Sequence, residues 1–199
     1  MTTIIGMKAI DKIIFASDSH YISESIVVSN TPKVNIVGNI IWGAAGDLTK
    51  AQSVLNYINT HYARGIENES HMYELINYLC ELYDDSDNQI LIGFKFLSQT
   101  EFPGSVAARE DIKLYLFEVG EGSYLEFNEY AIGSGAIYAL AGIYTMDMLE
   151  NEYEYIGVKE PHYSRLIDSE NFRREWQLIL DISIHFDPNT NGPVKLYQL

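Results

Sequence analysis

The sequence predicts a single α+β domain in which two stacked β-sheets are covered on the outside by helices, giving a four-layer αββα sandwich. The order of predicted elements is strands, two helices, strands, two helices and a strand. A chain of 199 residues, 47% of them apolar, can bury one sizeable core and is short for two. No linker, repeat or low-complexity segment divides it, so residues 1–199 are predicted to form one domain.

The first quarter of the chain consists of short apolar runs bounded by turn residues, as in strands joined by hairpins. These strands are predicted at residues 2–8, 12–18, 25–28, 33–37 and 39–45.

Two amphipathic helices follow the first strands. Asp47 can cap the first, and Gly65 ends it. The second is predicted over residues 69–83. Their apolar stripes are Ala51, Val54, Leu55, Ile58 and Tyr62 in the first, and Met72, Leu75, Ile76, Leu79 and Tyr83 in the second.

The second half repeats the order of strands followed by helices. Strands are predicted at residues 89–96, 112–118, 124–132 and 193–198, a loop at 98–110, and helices at 136–149 and 169–186. The continuous apolar run at 89–96 indicates a strand that is buried on both faces.

Charge and composition exclude several classes of function. The formal net charge is −15, which repels nucleic-acid phosphates and anionic lipid headgroups, so neither nucleic acid nor membrane is an expected partner. The sequence contains no apolar run of about 20 residues and no secretory signal pattern. The single cysteine, Cys80, is expected to be an inert core thiol, which suits a cytoplasmic protein.

The first residues could carry chemistry. The small side chain of Thr2 permits removal of Met1, which would leave a free amine beside a hydroxyl. With an unperturbed pKa of about 8, that amine could act as general base for the hydroxyl. Alternatively, Thr2 and Thr3 simply begin an edge strand.

Residues 2–6 read TTIIG and residues 13–19 read IIFASDS. These stretches resemble the opening hairpin of the proteasome β-subunits and of the bacterial peptidase HslV. Asp18 follows Thr2 by sixteen residues, as in the family pattern. The resemblance covers nearly the whole chain and implies the fold of the N-terminal nucleophile (Ntn) hydrolases, with Thr2 as the catalytic nucleophile.

The resemblance assigns Lys33, within Pro32-Lys33-Val34, the role of the catalytic lysine. Asp18 and Lys33 are then expected to form a partly buried pair in which the carboxylate holds the ammonium. The ammonium would oppose protonation of the Thr2 amine. Taken separately, a solvated turn carboxylate and a surface lysine are the simpler interpretations.

Two glycine-containing turns complete the expected site. The turn at residues 42–47 ends a strand and opens a helix, so the Gly46 N–H is expected to stabilise an oxyanion; without the resemblance it is an ordinary turn. The segment Gly133-Ser134-Gly135 is similar to the family's Gly-Ser-Gly, whose serine helps to place the terminal amine. Ser134 could equally cap the helix that follows.

The late loop at residues 187–192 resembles the family loop in which an aspartate and a serine support the nucleophile. Asp187 takes the first role and Thr190 stands in place of the serine. A plain turn is the alternative.

Substrate contacts are assigned to Tyr21, Ile22 and Ala44, with no specificity implied. The five histidines show no metal-ligand spacing, and neither a metal nor another cofactor is expected.

The resemblance implies a threonine-type endopeptidase that cleaves polypeptides through an ester intermediate inside a homo-oligomeric ring or stacked rings, with an ATP-dependent unfoldase as a possible partner. Two alternatives stay open: a catalytically silent scaffold or assembly protein with the same fold, and an Ntn amidase that acts on a small amide. Only Met1 precedes Thr2, whereas silent subunits usually carry an extra N-terminal segment, which favours the peptidase.

Overall fold

A computed structural model describes residues 3–9, 11–18, 21–23, 26–29, 32–100, 109–155, 178–179, 181, 185–187 and 194–199. Only the backbone is described at residues 21–23, 26–29, 98–100, 109–111 and 146–155.

The strands are β1 (Thr3–Lys8), β2 (Ile13–Ser17), β3 (Tyr21–Ser23), β4 (Ile26–Ser29), β5 (Val34–Val37), β6 (Ile40–Ala45), β7 (Gln89–Thr100), β8 (Arg109–Gly120), β9 (Ser123–Glu126), β10 (Glu129–Gly133) and β11 (Lys195–Gln198). The helices are α1 (Leu48–His61), α2 (Glu69–Leu82) and α3 (Ala136–Tyr155).

Within the described ranges, the strands form two main antiparallel sheets. One has four strands in the order β10-β1-β2-β11, and the other has five in the order β5-β6-β7-β8-β9. Among the strands that the structure describes, β3 and β4 pair only with each other. In the four-stranded sheet, Thr3 pairs with Gly133 and Ile4 with Ser17, which brings the start of β1, the end of β2 and the end of β10 to one edge.

Three apolar clusters show that the sheets stack with helices outside. One cluster lies between the sheets and includes Ile4, Phe15, Ile41 and Leu91. A second packs β6, β7 and β8 against α1 and α2, and a third packs β1 and β2 against α3 and Ile179. The predicted αββα sandwich is confirmed.

Strand β6 is buried along its whole length because it has core on both faces. Ile40, Trp42 and Ala44 point towards α1 and α2, while Ile41 and Ala45 point into the space between the sheets. Gly43 shares that inner face, where an added Cβ would meet the Ile4 side chain at 2.8 Å. A glycine there lets the two sheets approach closely.

The first two helices begin at capping residues, as the sequence predicts for α1. The Asp47 carboxylate accepts the Thr49 N–H at 2.7 Å, and the Asn68 side chain accepts the His71 N–H at 3.0 Å. The buried positions are Val54 and Ile58 in α1, and Met72, Leu75, Ile76 and Leu79 in α2.

Several predicted boundaries are wrong. Helix α1 ends at His61, before Gly65, and α3 continues past residue 149 to Tyr155, while β3 was not predicted. The loop predicted at residues 98–110 is strand at both ends, because β7 continues to Thr100 and β8 begins at Arg109. The strand predicted at 124–132 is two strands in different sheets. The Phe127 N–H donates to Leu116 O in the five-stranded sheet, whereas Asn128 O accepts the Lys8 N–H in the four-stranded sheet. The chain therefore changes sheets between these neighbours.

The described part of the chain contains no helix long and apolar enough to cross a membrane. The helix predicted over residues 169–186 falls largely outside the described residues; residues 178–179, 181 and 185–186 are helical.

Candidate active site

Asp18 and Lys33 form a fully buried ion pair that connects the two main sheets. Asp18 directly follows β2 in one sheet, and Lys33 directly precedes β5 in the other. Lys33 Nζ donates to Asp18 Oδ2 at 2.6 Å, and both side chains are 0% exposed. Removing water from two charges is costly unless they are paired and hydrogen-bonded, so this arrangement requires each partner to be present.

The second carboxylate oxygen of Asp18 binds the start of the chain. The Thr3 N–H donates to Asp18 Oδ1 at 2.8 Å, and the Asp18 N–H donates back to Thr3 O at 3.3 Å. This reciprocal contact continues the pairing of β1 with β2 by one residue. As a result, one carboxylate holds both the lysine and the peptide N–H that follows Thr2.

Burial lowers the pKa of Lys33 below its ordinary value of 10.5, while the charge and hydrogen bond of Asp18 act in the opposite direction. The cause is the loss of hydration, which disfavours the ammonium. A lysine in this position releases a proton more readily than a surface lysine, and such perturbed groups are frequent at catalytic sites.

Ser134 and Asp187 are brought together from distant parts of the chain. Ser134 Oγ donates to Asp187 Oδ2 at 2.6 Å, and Asp187 as a residue is only 4% exposed. Gly133, which pairs with Thr3, directly precedes Ser134. The pair therefore belongs to the same edge of the four-stranded sheet as Thr3 and Asp18.

Gly46 forms the turn between β6 and α1, as the sequence predicts. Its φ is +109°, a value that L-amino acids with a Cβ rarely adopt. Gly46 is itself exposed. An added Cβ would collide with Asn88 Oδ1.

The remaining predicted site residues are not brought to this edge by any described contact. Ala44 is buried and packs in the helix-facing cluster, on the opposite face of β6 from Ala45. Tyr21 and Ile22 lie on β3, where only the backbone is described. Thr2 and Thr190 lie outside the described residues, so their roles stay predictions.

Sequence reasoning missed two neighbours of the site, Asn88 and Gln89. The Asp47 N–H donates to Asn88 Oδ1 at 2.5 Å. The Gly133 N–H donates to Gln89 Oε1 at 3.4 Å, which connects the sheets a second time. The polar run at residues 84–88 was a visible turn signal, but only the pairing of Ala45 with Gln89 shows that it lies beside Gly46.

No group of three or more histidine, cysteine or acidic side chains that could bind a metal comes together in the described ranges. Cys80 is a free thiol on α2, and burial raises its pKa, which disfavours the reactive thiolate.

Comparisons with solved structures find the same fold in bacterial proteins. Thiobacillus denitrificans BPH is similar with a TM-score of 0.63 and 18% identity, covering 100% of this chain and 97% of that one. The same protein in complex with epoxomicin gives a TM-score of 0.63 and 18% identity, covering 100% of this chain and 98% of that one. Anbu, an ancestral beta-subunit from Yersinia bercovieri, gives a TM-score of 0.64 and 18% identity, covering 99% of this chain and 81% of that one.

No curated protein matches the sequence. The family model described as proteasome subunit matches residues 1–159, which is well over half of the 199 residues. The chain therefore belongs to the proteasome subunit family and has the fold of its Ntn hydrolases.

Proposed function

We propose that this protein is an N-terminal threonine peptidase in which Thr2, freed by removal of Met1, is the nucleophile. One observation carries the proposal: the buried Asp18 carboxylate binds both the Lys33 ammonium and the N–H of Thr3. Thr2 is bonded to Thr3, and consecutive Cα atoms are about 3.8 Å apart. A charged pair that is costly to bury thus lies next to the residue that the reaction needs.

In the proposed reaction, Thr2 Oγ attacks the carbonyl carbon of a peptide bond while its hydroxyl proton passes to the α-amine of the same residue. The Gly46 N–H stabilises the oxyanion. The amine then protonates the leaving nitrogen, the C–N bond breaks, and an ester with Thr2 remains. Water hydrolyses this ester, which releases the acyl product and restores the free hydroxyl.

The charge on Lys33 supports the amine as the base. Two positive charges about 4 Å apart repel by roughly 4 kcal/mol at an effective dielectric of about 20, against about 1.4 kcal/mol for each pKa unit. Asp18 offsets part of this repulsion, but the remaining repulsion favours a neutral amine near pH 7.

The hydroxyl and carboxylate of Ser134 and Asp187 are proposed to support the amine from the other side, together with Thr190. Their 2.6 Å hydrogen bond fixes the Ser134 side chain, and the pairing of Gly133 with Thr3 keeps it near the chain start. Substrate contacts through Tyr21 and Ile22 belong to the proposal as well, whereas Ala44 packs against α1 and α2 and is left out of it.

Family membership supports assembly into a homo-oligomeric ring or stacked rings around the sites, since one sequence of this type would build a closed symmetric oligomer. An ATP-dependent unfoldase would then deliver polypeptides. Native mass spectrometry tests the assembly, and a monomer would count against it.

The activity is tested with the purified protein and fluorogenic peptides, after the N-terminal mass has been measured. We expect loss of Met1, turnover of peptides, and an adduct on Thr2 after treatment with epoxomicin, the epoxyketone that is bound in the BPH complex. Thr2→Ala should abolish turnover and the adduct while the thermal unfolding curve is unchanged. Retained Met1 with no turnover would favour the silent scaffold, and near-parental activity of Thr2→Ala would remove Thr2 from the mechanism.

A further inference from the structure

The Gly46 turn is held by a side chain that belongs to the neighbouring strand connection. Asn88 lies immediately before β7 and is only 8% exposed. Because Ala45 pairs with Gln89, Asn88 lies directly beside Gly46. Its Oδ1 accepts the Asp47 N–H at 2.5 Å, so the first peptide after Gly46 is fixed to β7 as well as to β6.

Asn88 is itself oriented by two further side chains. Asn88 Nδ2 donates to Asp85 Oδ1 at 2.7 Å, and the same oxygen accepts the Asp87 N–H at 3.0 Å. The other oxygen, Asp85 Oδ2, accepts from Lys50 Nζ at 2.5 Å. Lys50 lies in the first turn of α1, the helix that Asp47 caps. The contacts therefore link Asp47 through Asn88 and Asp85 to Lys50, and the chain from Asp47 to Lys50 closes the ring.

In this ring, the Asn88 amide can satisfy its hydrogen bonds in one orientation. Its oxygen must face the Asp47 N–H, and its nitrogen must face a carboxylate that is already bound to an ammonium. An added Cβ on Gly46 would meet Asn88 Oδ1 and would come within 2.7 Å of Asp87 O, so turn and side chain are in close contact. The positive φ of Gly46 and the place of Asn88 depend on each other.

We propose that Asn88, oriented by Asp85 and Lys50, is a positioning residue that fixes the direction of the Gly46 N–H for oxyanion stabilisation. The expected change in kcat rests on the proposed peptidase function. The expected order of the Gly46 turn does not, because it can be measured in an inactive protein.

The first test compares Asn88→Ala with the matched control Asn56→Ala. Asn56 is an exposed residue of α1, and its described side-chain hydrogen bond is with Gln52. Loss of one oxyanion donor lowers kcat about 100- to 1000-fold, and a displaced donor retains part of its effect. We expect Asn88→Ala to lower kcat about 10- to 100-fold with KM changed less than about threefold, and to speed amide hydrogen exchange at Gly46 and Asp47. Asn56→Ala should match the parent in all three.

A second test exchanges the amide of Asn88 and the carboxylate of Asp85 between the two positions. Asn88→Asp alone places two carboxylates face to face and should reduce kcat at least as much as Asn88→Ala. In the double variant Asp85→Asn/Asn88→Asp, the amide introduced at position 85 can donate to the carboxylate introduced at position 88, which still accepts the Asp47 N–H. The Asp87 N–H loses its acceptor, so we expect recovery of about half of the lost kcat on a logarithmic scale.

The outcomes separate the two proposals. An inactive parent refutes the peptidase function, and hydrogen exchange at Asp47 then decides whether Asn88 fixes the turn. An active parent with normal kcat and normal exchange in Asn88→Ala overturns the positioning role. If Asn88→Ala fails to fold, the single and double exchange variants give the answer, and a double variant no faster than folded Asn88→Asp contradicts the inference.

Discussion

At the scale of single residues, the buried pair of Asp18 and Lys33 contributes to stability and, on the proposed function, to the chemistry. Each side chain is 0% exposed, so neither charge can be hydrated when its partner is lost. The pair also leaves no room for a conservative exchange, since the carboxylate has one oxygen on Lys33 and the other on the Thr3 N–H. Removal of either partner is therefore expected to change the free energy of unfolding and the peptide turnover, and these two effects can be measured separately.

Lys33→Ala is expected to eliminate almost all turnover and to lower the free energy of unfolding by about 3–5 kcal/mol, because it removes the Lys33 ammonium from the buried Asp18 carboxylate. The double variant Asp18→Asn/Lys33→Met should recover most of that stability, since the asparagine oxygen can still accept the Thr3 N–H, but should stay inactive. Urea unfolding and peptide turnover measure the two effects. A fully active Lys33→Ala would mean that another lysine serves the site.

Glu118 gives a prediction for the pH dependence of stability. Burial raises its pKa above the ordinary value of 4.5, although the Gln89 amide donates to it. The folded protein then binds the proton more tightly than the unfolded chain, so stability falls as the pH rises from 4.5 through the folded pKa and stays lower above it. Glu118→Gln keeps an oxygen for the Gln89 amide and removes this loss.

We expect Glu118→Gln to raise the free energy of unfolding at pH 7 by less than about 1 kcal/mol, because solvent screens a partly exposed carboxylate. The gain should vanish below about pH 4, where the carboxyl is protonated in both states. Urea titrations at several pH values measure it. A gain of equal size at low pH would point to packing and not to ionisation.

At the scale of elements, Asn39 connects the β5–β6 turn to the segment between α1 and α2. Its Nδ2 donates to Ile66 O at 2.9 Å and Lys95 O at 3.1 Å, and its Oδ1 accepts the Ile66 N–H at 2.6 Å. Gly65 lies against it with a φ of +93°. This contact lies at the opposite end of β6 from Gly46.

Asn39→Ala should therefore destabilise the fold by about 2 kcal/mol, since each net hydrogen bond contributes about 0.5–1.5 kcal/mol and the backbone groups of Ile66 lose buried partners. Turnover below the unfolding transition should be unchanged. Thermal unfolding and initial rates measured side by side provide the check. A loss of rate without a loss of stability would show that this end of β6 communicates with the site.

The sequence predicts most elements and about half of the site. The helices α1 and α2 follow from their apolar stripes, and the pairing of Asp18 with Lys33 follows from the family motifs. The division between β9 and β10 could not be predicted, because the apolar pattern runs on across Phe127 and Asn128 while the pairing partner changes from β8 to β1. Asn88 was missed for the same reason: its neighbour is set by the register of β6 with β7.

At the scale of the whole molecule, the net charge of −15 acts against the compact state. Exposed ion pairs such as Lys8 with Glu126 and Lys113 with Glu69 offset little of this repulsion. Added salt shortens the distance over which the acidic side chains repel each other, from about 30 Å at 0.01 M to about 10 Å at 0.1 M.

We expect the thermal unfolding midpoint at pH 7 to rise when sodium chloride is increased from about 0.01 M to about 0.1 M. Differential scanning calorimetry at constant protein concentration measures the shift, with potassium chloride as a control for ion-specific binding. A lower midpoint in salt would show that the surface ion pairs outweigh the general repulsion.

The position of β1 inside the four-stranded sheet has a consequence for synthesis on the ribosome. Its neighbour β10 is made more than a hundred residues later, and β11, which pairs with β2, later still. A nascent chain can lose its initiator methionine early, but the groups around its amino terminus come together only after residues 133, 187 and 195–198 have left the exit tunnel. On the proposed function, a threonine exposed in this way would therefore stay harmless to neighbouring polypeptides throughout translation.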